Sequence, residues 1–193
     1  FHRSARPDLP AEAAGHVVHG IAARESYLHR YCVADLWSAG SALATLFPPL
    51  GGRYRYSGAS FGGGIGAMAL PWDPRLERAH LVVPSFGHHP LRLTMPCVGS
   101  GEAVRNHYAA HPEVAAVLAF HDAAIHATRT TIPVFCVAAL FDPAVPPPGQ
   151  FAVHNALAGE KELFVLSAGH FNYPRELSEG LEHRRRLAAW FAA

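Results

Sequence analysis

Hydrophobic positions follow two rhythms along this chain, and the two alternate. Short apolar runs bounded by Gly, Pro or charged residues predict strands. Stretches with apolar residues at three- and four-residue steps predict helices. The predicted strands are Arg53–Ser57, Ala79–Val83, Val134–Leu140 and Glu162–Leu166. Val134–Leu140 (VFCVAAL) is apolar at every position, which suits a parallel strand covered on both faces. The predicted helices are Arg24–Phe47, Phe61–Leu70, His111–Phe120, Phe151–Leu157 and Leu177–Phe191. In the first, Cys32, Leu36, Ala39, Leu43 and Phe47 form the apolar face, and Pro48 and Pro49 stop the helix. In the last, Leu181, Leu187 and Trp190 are expected to point inward. Residues 1–20 read as an irregular loop, and 85–130 as a less regular stretch rich in His and Pro. Strands alternating with helices imply an α/β fold, a parallel sheet flanked by helices. No internal repeat or low-complexity segment interrupts it.

Composition narrows the function classes. The chain has 193 residues, half of them hydrophobic and 16% charged, enough apolar content for one well-buried domain and the opposite of a disordered composition. Lys and Arg outnumber Asp and Glu by only one, so no cationic surplus exists to neutralise phosphates, and no nucleic-acid partner is expected. The longest apolar runs are too short to span a bilayer, so no membrane partner is expected either. Three widely spaced cysteines (Cys32, Cys97 and Cys136) make neither a disulfide framework nor a thiolate metal site. They favour a reducing compartment, and a cytoplasmic location is expected.

The chemistry concentrates in Ser57-Gly58-Ala59-Ser60-Phe61-Gly62-Gly63-Gly64. This is G-x-S-x-G, directly after a predicted strand and directly before a predicted helix. Such a turn is sharp enough that bulky neighbours clash, and the flanking Gly58 and Gly62 are expected to relieve this. It lifts the Ser60 hydroxyl to the top of the sheet. The Phe61 N–H, at a helix N-terminus, can then face a developing oxyanion. Asp142 follows the VFCVAAL strand and His170 follows the ELFVL strand. Both fall where open α/β sheets hold their active sites. The order Ser, acid, His, each after its own strand, is that of the α/β-hydrolases. In this reading Ser60 is the nucleophile, His170 the general base and Asp142 the residue that orients it. An Asp-Pro turn at Asp142 and a Gly-His loop at His170 are the plainer readings of those two residues taken singly.

Fourteen histidines raise the question of metal. His16/His19, His88/His89 and His107/His111 are the close pairs, but no H-E-x-x-H occurs, and solvated or satisfied histidines are the expectation. His88 and His89 follow the second strand and are candidates for the mouth of a substrate pocket. Neither a metal nor a cofactor is expected.

With these residues in place, the chain resembles the acetyl xylan esterase and cephalosporin C deacetylase family, carbohydrate esterase family seven. The resemblance runs from FHRSARPD (Phe1–Asp8), through Gly20-Ile21, the Tyr27–Arg30 helix start and SGASFGGGIGAMAL, to the segment from Ala119 to His170. Within the latter, D-x-x-x-P-P…F…N-x-x-x-G-x-K-E is more specific than the serine motif. Two positions depart from the family pattern. Phe61 stands where the family usually has Gln, and Phe171 follows the histidine where the family usually has Glu.

The resemblance implies an α/β-hydrolase-type sheet with Ser60, Asp142 and His170 as triad and the Phe61 N–H in the oxyanion hole. It implies a small acetylated sugar or antibiotic ester as substrate, and a homo-oligomer, often a hexamer. It further implies early strands and a second oxyanion donor encoded ahead of Phe1, so that residues 1–193 form one partial α/β-hydrolase domain lacking the N-terminal strands. The rival readings are another reaction on the same fold, a short-chain or lipase-like esterase or a peptidase, and an inactive scaffold.

Overall fold

A computed structural model describes residues 6–193. The first five residues of the Phe1–Asp8 segment therefore lie outside the described residues. In chain order the elements are α1 (Ala13–His16), α2 (Leu28–Leu46), β1 (Tyr54–Ala59), α3 (Phe61–Ala69), β2 (Leu76–Val82), α4 (His89–Arg92) and α5 (Ser100–Ala110), followed by α6 (Ala115–Phe120), α7 (Ala123–Ala127), β3 (Val134–Ala139), α8 (Pro147–Ala156), β4 (Lys161–Leu166) and α9 (Glu176–Ala192).

The four strands form one parallel sheet in the order β1-β2-β3-β4. Every position of β3 is buried, as the unbroken apolar run requires. Its side chains alternate between two cores. Val134 joins Ala79, Leu81, Ile65, Met68, Ala127 and Val153 under the helices on one face. Phe135 and Val137 meet Phe164 and Trp190 of α9 on the other. The indole of Trp190 donates to the Ala79 carbonyl at 3.1 Å, fixing α9 across β2. A third cluster, built on Tyr27, Leu28, Val104 and Leu118, packs α5 and α6 against the start of α2. The fold is the three-layer α/β arrangement that the alternating pattern implies.

Several boundaries and faces differ from the sequence reading. α2 begins at Leu28, four residues later than expected, because the Ser26 hydroxyl bonds the Gly20 and Ala23 carbonyls and holds the preceding segment in a turn. Its inward stripe is Val33, Leu36, Trp37 and Gly40, while Ala39, Leu43 and Phe47 are exposed. Gly40 sets this rotation, because the Tyr54 ring lies where a Cβ would be. A single helix over His111–Phe120 does not form. α5 ends at Ala110, a short 3-10 turn runs through Pro112–Val114, and α6 starts at Ala115. Pro112 has no N–H to continue the ladder. In α9, Leu181 is exposed and the inward row is His183, Leu187, Trp190 and Phe191. Within the loop expected at residues 1–20, α1 forms a single turn.

Candidate active site

β1 runs into α3 through one residue, Ser60, whose φ of 52° and ψ of −116° lie outside the regions open to ordinary side chains. Three backbone bonds hold it there. Its N–H donates to the Val82 carbonyl at 2.8 Å, and its carbonyl accepts from Gly64 at 3.0 Å and Ser85 at 3.1 Å. Five non-glycine residues among those described have positive φ: Ser60, Val83, Phe86, His88 and His170. All follow the carboxyl ends of β1, β2 and β4, the edge of an open α/β sheet at which ligand sites lie.

The glycines around Ser60 divide by cause. A Cβ on Gly58 would stand 2.7 Å from the Gly62 carbonyl oxygen, and one on Gly63 would stand 3.0 Å from the Val82 carbonyl oxygen. One on Gly64 would run into the Ser85 carbonyl and the Phe86 ring. A Cβ on Gly62 would meet nothing closer than 3.7 Å. A side chain would thus collide at Gly58, while Gly62 has open space around it. The close approach of α3 to the β2–α4 loop instead demands glycine at 63 and 64.

Ser60, Asp142 and His170, the candidates from the serine motif and the order of strands, converge. His170 Nε2 lies 2.9 Å from Ser60 Oγ, and His170 Nδ1 lies 2.7 Å from Asp142 Oδ2. With Nδ1 protonated toward the carboxylate, Nε2 is left to accept the serine proton. The Asp142 side chain is fully buried. Its other oxygen accepts the N–H groups of Ala144 and Val145 at 2.9 Å each, the turn that an Asp-Pro step favours. Gly169 is required beside it, since a Cβ would stand 2.5 Å from Asp142 Oδ2.

Two supporting residues were not found from the sequence. Gln150, fully buried on α8, donates to Asp142 Oδ2 at 3.1 Å and to the Val145 carbonyl at 2.7 Å, while its own oxygen accepts the Ala139 N–H at 2.8 Å. A lone amide in the P-P-G-Q-F-A-V segment is the signal that marks it. Glu179 on α9 accepts the Ser167 N–H at 2.8 Å and the Tyr173 hydroxyl at 2.8 Å, clamping both ends of the loop that carries His170.

The Phe61 N–H opens α3 and has no intrahelical acceptor, as for any first helical residue. The Phe61 ring packs edge-on against Phe86 and His29. It lines a cavity of about 230 Å³ with Ser60 and His170. A second, more open space of about 440 Å³ borders Ser60 and His170 on the side of Phe171 and Tyr173. His88 and His89 line neither. The His88 and His89 N–H groups bond Asp122, and His89 is buried, so they do not form the pocket mouth. Among the described residues no group of three or more His, Cys, Asp or Glu side chains is placed to hold a metal ion, and no helix is long and apolar enough to cross a membrane.

The family model for acetyl xylan esterase (AXE1) matches residues 4–181. Among solved structures, the acetyl xylan esterase from Paenibacillus sp. R4 superposes with a TM-score of 0.78 at 21% identity, covering 96% of this chain and 61% of that one. Acetyl xylan esterase 1 from Thermoanaerobacterium sp. JW/SL YS485 gives 0.55 at 20% identity, with 68% and 44% covered. A puromycin-hydrolyzing peptidase of Mycobacterium tuberculosis gives 0.65 at 19% identity, with 86% and 26% covered. The chain thus spans about six tenths of the Paenibacillus enzyme it matches. A search of curated protein sequences finds no match.

Proposed function

This chain belongs to the acetyl xylan esterase family, and from that premise we propose that it is a serine carboxylesterase removing acetyl groups from carbohydrate or related esters. The observation that carries this reading is the continuous hydrogen-bonded path from Ser60 Oγ through His170 to the buried Asp142 carboxylate.

Each step follows from that path. Ser60 Oγ attacks the ester carbonyl carbon as its proton passes to His170 Nε2. The imidazolium that forms is stabilised by Asp142, which keeps its own charge. Negative charge developing on the carbonyl oxygen meets the Phe61 N–H and the positive end of α3. His170 then returns its proton to the departing alcohol, leaving an acetyl-enzyme. A water, deprotonated by His170, cleaves it and regenerates Ser60. Strain at Ser60 holds its hydroxyl clear of helical partners, and no side-chain capping bond to α3 competes for it.

The acyl group in this reading is small. Phe61, where the family usually has Gln, puts an aromatic ring into the wall of the smaller cavity. Hydrolysis of 4-nitrophenyl esters of rising chain length tests the proposal. Acetate is expected to be the best substrate, with activity falling through butyrate. A better rate on octanoate than on acetate would refute the acetyl assignment. A homo-oligomeric assembly and a cytoplasmic location belong to the same reading, and the unpaired state of Cys32, Cys97 and Cys136 is consistent with the latter.

A further inference from the structure

Arg92, the last residue of α4, is 4% exposed. Its hydrogen-bond partners are neutral. Nε donates to His89 Nδ1 at 3.4 Å and Nη1 to the Gly101 carbonyl at 3.2 Å, while Nη2 is buried without a partner. The nearby carboxylates are committed elsewhere. Asp122 accepts the N–H groups of His88, His89 and Ala124. Glu102 pairs with Arg105 and accepts the Cys97 N–H. A guanidinium taken out of water without a directly bonded counter-charge is expensive, and an anion that reached it would offset that cost.

The place where an anion would arrive is on the same wall. Arg92 lines the 230 Å³ cavity that holds Ser60 and His170. Gly99, Ser100 and Gly101, the N-terminal end of the eleven-residue α5, line it too. Gly99 caps α5 without a side-chain acceptor, and the acidic residue of its first turn, Glu102, is paired with Arg105. The space beside the serine is therefore bordered by the positive charge of Arg92, with the start of α5 as a smaller contribution. A water occupies about 30 Å³ of liquid, so the cavity has room for a carboxylate and the few atoms that join it to a reacting ester. The planar fork of a guanidinium matches a carboxylate in shape as well as charge.

We propose that this cavity binds a carboxylate carried by the ester substrate, with Arg92 as its counter-ion, so that the enzyme prefers anionic esters to neutral ones. The proposal rests on the esterase reading of Ser60 and adds a substrate class to it. The carboxylate can sit on the alcohol half or on the acyl half, and matched pairs separate the two. 3-Acetoxybenzoate against 3-acetoxybenzamide tests the alcohol half. The 4-nitrophenyl hemisuccinate against its methyl ester tests the acyl half.

For one pair, the anionic member should have a kcat/KM about tenfold or more above the neutral one, mainly through KM, as a charge-assisted bond to a buried guanidinium warrants. That ratio should collapse in Arg92→Met, survive in part in Arg92→Lys, and shrink as salt is raised. Equal kcat/KM within both pairs overturns the proposal, and so does a ratio unchanged in an Arg92 variant that folds. Should neither variant fold, the wild-type ratios and competition by benzoate against benzamide decide the matter. Calorimetry with the same two probes on Ser60→Ala is independent of turnover. Benzoate bound in preference to benzamide by a protein that hydrolyses no ester would overturn the esterase reading and leave the carboxylate site standing. Turnover of every ester with no preference for charge would do the reverse.

Discussion

Gln150 donates its side-chain amide to Asp142 Oδ2 at 3.1 Å, on the same oxygen that receives His170. The amide is held by two further buried bonds, to Ala139 and Val145, so it links the end of β3 to the acid loop. The carboxylate is thereby fixed from behind while its face toward the imidazole stays open. Gln150→Leu removes that support and leaves the Ala139 N–H without its acceptor. An unsatisfied buried group costs about 1–3 kcal/mol. The variant should melt several degrees lower and show reduced kcat with a smaller change in KM. Circular dichroism melting and acetyl-ester kinetics measure both. An unchanged kcat would show that Asp142 is positioned without Gln150.

The glycines after Ser60 give opposite predictions within two residues. Gly62→Ala adds a methyl into open space at the start of α3, and alanine is the better helix former by up to about 1 kcal/mol. Its melting temperature should equal or exceed that of the wild type. Gly64→Ala drives a Cβ into the Ser85 backbone and should leave little folded protein. Thermal melts of the two variants side by side check this. Equal destabilisation by both would contradict the packing of α3 against the β2–α4 loop.

Buried histidines make the fold acid-labile. Burial pushes His80, His89 and His121 down to about 4, from an ordinary value of 6.5, and holds His29 well below that ordinary value too. Like-charged neighbours add to the effect, His183 for His80 and Arg92 for His89. Between pH 6.5 and 4 the unfolded chain binds protons that the folded chain refuses, so stability rises with pH across that window and is lost as pH falls through it. Each such histidine adds a slope of up to about 1.4 kcal/mol per pH unit. Melting temperatures should be flat from pH 8 to 7 and drop steeply from 6 to 4.5. His80→Phe should flatten part of that drop. A melting temperature constant from pH 7 to 4.5 would contradict the burial of these rings.

The parts legible in the sequence are those where one local pattern suffices. VFCVAAL has one explanation, a strand buried on both faces, and β3 is that strand. G-x-S-x-G between a strand and a helix singles out Ser60, and the order of strands singles out Asp142 and His170, as candidates that the fold brings within hydrogen-bond distance. What escaped depends on tertiary partners. α5 has a single fully buried residue, Val104, and begins with Gly99-Ser100-Gly101, so it lacks the run of buried apolar positions that marks α3. The inward face of α2 is turned by the fit of Gly40 to Tyr54, a contact with β1 that no local periodicity contains. Gln150 and Arg92 are single polar residues in apolar or irregular segments, and their roles follow from what surrounds them in space.

Ser60 is the proposed nucleophile, and covalent labelling tests that assignment most directly. The protein is incubated with a fluorophosphonate, and its intact mass and tryptic peptides are read by mass spectrometry, with Ser60→Ala and His170→Ala treated in parallel. One adduct per chain is expected, on the peptide containing Ser60. It should be absent in Ser60→Ala and slowed at least about a hundredfold in His170→Ala, the scale on which a general base contributes. A wild-type protein that stays unlabelled, or that labels elsewhere while Ser60 remains free, would contradict the account.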